Sequence, residues 1–134
     1  MKLSTFLVIN AIIAALFGLG FVFVPSQVAS LYGYPADAGL LYTGQLFGAA
    51  LLAFAVLTWF ARNLPDSDAR RAILLALFVG DAVGFVVALI AQIGGTVATL
   101  GWSTVAIYLL LAIGLFYFRF VASNGSGAVH GKAM

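Results

Sequence analysis

Five polar side chains interrupt stretches that are otherwise apolar, and their types make them the candidates for chemistry: Asn10, Gln45, Asp81, Gln92 and Tyr108. Asp81 is the most informative. It is the only acid of the chain inside an apolar run, AILLALFVGDAVGFVVALIAQIG at residues 72–94. In a membrane helix of that length it lies about nine residues in, near the bilayer midplane. An ionised acid at that depth costs about 2.5–3.5 kcal/mol on insertion scales, so it must face the bundle interior or be protonated. No Lys or Arg occurs at comparable depth, which puts an ion pair within the chain out of reach. The protonated acid can donate a hydrogen bond, with Asn10, Thr43, Gln45 and Tyr108 as candidate partners. Gln92 lies eleven residues further, about three turns along the same helical face, so Asp81 and Gln92 read as one polar stripe. Two roles follow for Asp81. It is a hydrogen-bonded residue that fixes helix register, or it is a titrating site for a proton or a cationic substrate.

Other chemistry lacks its parts. The chain has no cysteine, which excludes disulfides, thiolate metal sites and cysteine nucleophiles. Its one histidine, His130, stands in a Gly-rich tail without a second ligand nearby and reads as a solvated residue. Gly18 and Gly20 lie within an apolar run and lack the strand-turn-helix context of a nucleotide loop. There is no nucleophile triad and no pair of close carboxylates. The expectation is a protein that is not an enzyme and uses no metal or cofactor.

The elements that must position these residues follow from composition. The chain is 64% hydrophobic and 7% charged, with a mean hydropathy of +1.17. A soluble domain carries about a quarter charged residues, so this is an integral membrane protein whose main partner is the lipid bilayer. A net charge of +2 gives no ground for nucleic acid binding. Runs of about 20 apolar residues, enough to cross the hydrocarbon core, fall at residues 3–24, 40–61, 72–94 and 101–119. The fold class is therefore all-α, a four-helix transmembrane bundle forming one domain over residues 1–120. Residues 121–134 read as a flexible Gly-rich cytoplasmic tail. The first run is longer than the roughly 7–15 residues of a signal-peptide core, so it reads as an anchor.

The connectors differ in kind. Pro25 closes the first run, and a short helical turn is expected between Pro25 and Gly33. Tyr32 and Tyr34 suit the headgroup level. Residues 26–39 read as an interfacial loop, or alternatively as a mouth or lid over a cavity. Residues 62–71 are hydrophilic, with Asp66 and Ser67 as caps and Asp68 in the first turn of the third helix, where the helix dipole favours an acid. Small residues recur at four-residue spacing on two spans: Gly44 and Gly48 on the second, beside Ala49 and Ala53, and Ala76, Gly80, Gly84 and Ala88 on the third. Such seams let membrane helices approach closely, which makes these the helix-packing candidates and the third span the expected most enclosed helix.

All six basic residues fall on one side of this layout: Lys2, Arg62, Arg70, Arg71, Arg119 and Lys132. The positive-inside rule then places both termini in the cytoplasm.

A first span ending at Pro25, a Val28-Ala29-x-Leu31-Tyr32-Gly33 segment, a Gly-rich second span and an Arg-flanked connector resemble the small four-helix prokaryotic membrane proteins grouped as domains of unknown function. The resemblance covers most of residues 3–120 and implies the fold and a multi-pass protein of the prokaryotic cytoplasmic (inner) membrane, with no activity to carry over. The functional expectation is a non-enzymatic packing or accessory subunit, as a homo-oligomer or within a larger membrane complex. The alternative is a small transporter or a lipid or hydrophobic-ligand binder using Asp81.

Overall fold

α1 (Leu3–Phe23) starts beside Lys2 and runs until Pro25, which opens α2 (Pro25–Leu31) from its favoured first-turn position. α3 (Ala38–Ala61) is capped by Asp37, whose Oδ1 accepts from the Leu40 amide at 2.9 Å. α4 (Asp68–Ile93) is capped by Ser67, whose Oγ accepts from the Arg70 amide at 3.2 Å. That cap starts α4 four residues before the apolar run, so its first turn lies outside the apolar run. α5 (Gly101–Phe116) continues into a π-helical segment, Tyr117–Val121. These elements come from a computed structural model that describes residues 1–122. His130, Lys132 and most of the expected tail lie outside the described residues.

The described chain is helical with four helices long and apolar enough to cross a membrane: Leu3–Phe23, Ala38–Ala61, Asp68–Ile93 and Gly101–Val121. Their outer faces are as apolar as their inner ones. Leu16, Val87, Ile90 and Leu110 are 66%, 61%, 67% and 67% exposed, a pattern that suits lipid and not water.

The spans associate as two pairs, α1 with α3 and α4 with α5. In the first pair the backbones meet at glycines. A Cβ on Gly48 would stand 2.9 Å from the Gly18 carbonyl, and one on Gly18 would stand 3.0 Å from the Gly48 carbonyl. In the second pair the ring of Tyr108 rests on Gly84, where a Cβ would come 2.8 Å from Cδ1. The third span is not the most enclosed helix of the chain. α1 is, with 33% of its central window buried against 11% for α4, because α1 packs on α3 and also supplies Phe6 and Leu7 to the core. Gly80, midway along the α4 seam, has nothing within 4 Å of an added Cβ.

The two pairs join at the end of the bundle that holds both described termini. Phe6 and Leu7 of α1, Ala61 of α3, Leu74 and Leu77 of α4 and Leu111 and Leu115 of α5 form one buried cluster there. The rings at the end of α5 and in the wider turn of the π segment spread over two helices. Phe118 meets Phe6 of α1 at 5.4 Å, while Phe116 and Phe120 meet Phe78 of α4 at 5.7 and 6.0 Å. The described basic residues lie at this end. Arg70 and Arg71 pair with Asp66 at 3.3 and 3.2 Å, and Arg62 stacks on Trp59 at 3.9 Å, as anchors at a membrane surface do.

Candidate functional site

Above the buried cluster the two helix pairs diverge and leave a cavity of about 380 Å³ between them. That lies within the range of roughly 300–1,000 Å³ typical of small-molecule sites. Leu77 and Leu111 belong to both the cluster and the lining, so they form its floor. Each span contributes one helical stripe to the walls, because residues three or four apart share a face. On α1 the stripe is Asn10, Ala14, Phe17 and Phe21, and on α3 it is Gly44, Phe47, Leu51 and Phe54. Ala76, Gly80 and Asp81 come from α4, and Thr104, Ile107 and Tyr108 from α5.

The roof is made by α2 and the residues after it. Gly33, at φ +79°, takes the left-handed turn that ends α2, and the Tyr34 amide reaches back to the Ala29 carbonyl at 2.9 Å. This turn sets Gly33 directly against Ala98 in the α4–α5 connector, where a Cβ would stand 3.1 Å from the alanine methyl. Two hydrogen bonds then tie the roof across to the second helix pair. The Ala98 amide donates to the Tyr32 carbonyl at 3.0 Å, and the Tyr32 and Thr104 hydroxyls share a bond at 2.7 Å. Tyr32 and Tyr34 line the cavity. The segment expected as an interfacial loop, or as a mouth or lid over a cavity, thus roofs a cavity.

With floor and roof closed, the remaining opening is lateral. The lining residues of α1 and α5 are buried or half-buried, whereas Phe47 and Phe54 of α3 and Ala76 and Gly80 of α4 are exposed. α3 and α4 do not pack along one another. The gap between them faces the region that lipid tails occupy.

Three of the five polar residues singled out in the sequence come together here: Asn10, Asp81 and Tyr108. Asn10 is only 5% exposed, and its Nδ2 has no hydrogen-bond partner. Such a buried unpaired donor costs about 1–3 kcal/mol. Asp81 is half-buried, one turn before Gly84, and no group among the described residues hydrogen-bonds or ion-pairs it. Tyr108, seated on Gly84, lies within electrostatic reach of Asp81. Among the described residues the lining holds no Lys, Arg or His.

The partners expected for Asp81 are engaged elsewhere or left single. Thr43 Oγ1 donates to its own helix at Gly39, 2.9 Å away. Gln45 lies outside the cavity and binds α3 to α1, its Nε2 donating to the Val22 carbonyl at 3.1 Å. Gln92 is also outside. Its Nε2 donates to the Val97 and Ala98 carbonyls at 3.4 and 3.3 Å, which shapes the turn into α5. It shares a helical face with Asp81, but the roof ends the cavity before that depth. Of the packing candidates, Gly48 and Gly84 meet another helix, Gly44 faces Phe21 at the cavity wall, where an added Cβ would stand 3.5 Å from the ring, Ala88 is half-buried, and Ala76 and Gly80 border open space. Sequence reasoning missed Tyr32 and Thr104 as partners, since nothing in the sequence joins residues 72 positions apart. The adjacent Gly33 is the one local signal of a close approach there.

Fold and site together define a small polytopic α-helical membrane protein with an apolar chamber between its two helix pairs. The chain belongs to the DUF8292 family, a domain of unknown function that matches residues 1–124. No curated protein and no solved structure matches it.

Proposed function

We propose that this is a non-enzymatic membrane protein that takes a small, mainly apolar molecule from the bilayer into its chamber, as a binder or as part of a small transporter. The observation that carries this reading is the cavity of about 380 Å³ itself, lined mainly by apolar side chains and open sideways between α3 and α4. The lateral gap between α3 and α4 supplies a route that never crosses water. The one-sided placement of basic residues supports a cytoplasmic-membrane location with both termini inside.

The accessory-subunit reading, as a homo-oligomer or in a larger complex, rests on the small-residue seams. It draws less support, because Gly48 is already used against Gly18 and Gly84 against Tyr108 within one chain.

Gly80 offers a clean test, since it lines the cavity and an added side chain meets nothing within 4 Å at its root. In nanodiscs of zwitterionic lipid, radiolabelled neopentylbenzene should bind the wild type saturably. Gly80→Phe should fill the space and abolish that binding with an unchanged melting temperature. Binding that does not saturate, or that persists in Gly80→Phe, would overturn the reading.

A further inference from the structure

We infer that the occupant of this chamber is a lipophilic monocation, an amine or ammonium group on an aryl or alkyl body, held by Asp81 among aromatic rings. The inference rests on the chamber reading above and names the class of molecule it takes.

Three features converge on a cation. Among the described residues the lining contains one carboxyl group and no basic side chain, so the formal charge they can bring to the chamber is negative. Asp81 has neither a hydrogen bond nor an ion pair among the described residues, so its electrostatic partner is not supplied by the surrounding helices. The same lining holds the rings of Phe17, Phe21, Phe47, Phe54, Tyr32 and Tyr108. Aromatic faces attract desolvated cations, and cages of such rings are how quaternary ammonium groups are recognised. A carboxylate and a cation out of water hold each other only when the rest of the site is also complementary, and the rings provide that.

The alternative of a proton taken up on its own fits the geometry less well. A proton needs a chain of polar groups to reach Asp81. The polar groups that could form one are engaged elsewhere, because Gln92 is turned into the α4–α5 connector and Thr43 and Gln45 bond to backbone. The titratable groups facing the chamber are Asp81, Tyr32, Tyr34 and Tyr108, and the roof is latched. A lipophilic cation needs no such relay. Its apolar body partitions into the bilayer and passes the α3–α4 gap with the charge attached.

The test uses benzyltrimethylammonium against neopentylbenzene, which has the same shape with carbon in place of the charged nitrogen. Binding is measured to the full chain in zwitterionic nanodiscs, with empty nanodiscs subtracted. The wild type should bind the cation at least tenfold more tightly than the neutral isostere. Asp81→Asn, which keeps size and polarity, should erase that preference while neutral binding persists, and Gly80→Phe should lose both probes. Equal affinity for the two probes, or a cation preference that survives Asp81→Asn, overturns the cation assignment and leaves the chamber reading standing. Saturable binding of neither probe overturns both.

Discussion

The hydroxyls of Tyr32 and Thr104 stand 2.7 Å apart and join two halves of the bundle that otherwise meet at the opposite end. Tyr32 belongs to the turn after α2 and Thr104 to the first turn of α5, so one bond holds the roof of the chamber to the second helix pair. An Ala98–Tyr32 backbone bond beside it shares the load.

Removing either hydroxyl should therefore loosen the roof without unfolding the bundle. Tyr32→Phe and Thr104→Val should each cost about 0.5–1.5 kcal/mol, the net worth of one hydrogen bond. Because both remove the same bond, the double variant should cost about as much as either single one. Unfolding titrations in mixed micelles would measure this cycle. Costs that simply add would show that the two hydroxyls do not act on each other.

Glycines of the two seams should respond in opposite ways. Gly48→Leu forces a side chain into the Gly18 backbone, which can yield only if α1 and α3 separate, and a loss of more than about 1–3 kcal/mol is expected. Gly84→Ala should push the Tyr108 ring out of its seat and so change probe binding together with stability. Gly80→Ala should be neutral or slightly stabilising, since alanine is the better helix former by about 1 kcal/mol and its methyl meets open space. Melting temperatures of the three variants side by side would check the order. A destabilising Gly80→Ala would mean that a second chain covers this stretch of α4.

Orientation is open to a direct measurement. Cysteines placed singly at Ala36 and at Asn63 in this cysteine-free chain should label from opposite sides of the membrane with an impermeant maleimide. Asn63 should react only once the cell is opened, because it shares the end of the bundle with Arg62, Arg70 and Arg71. Labelling of Asn63→Cys in intact cells would reverse the topology.

The sequence by itself determined that this chain is all-helical and carries four helices long and apolar enough to cross a membrane. Those properties are local sums. About 20 apolar residues in a row reach across the hydrocarbon whatever their neighbours do, and Pro25, Asp37 and Ser67 act within one turn of their own positions. It also marked Asp81 and Asn10 as the polar residues to watch, since a polar group in an apolar run is conspicuous without a structure.

Only the tertiary structure decided what those residues face. The spans are apolar on every side, so no amphipathic stripe says which face turns inward. Spacing put Gln92 with Asp81, but the roof cuts the chamber off before Gln92, and a roof built from a Tyr32–Thr104 contact 72 residues apart leaves no local trace. The α4 seam looked continuous, yet Gly84 packs on Tyr108 and Gly80 borders empty space. That difference arises because the two helix pairs touch at one end and diverge above it, and divergence belongs to the bundle as a whole.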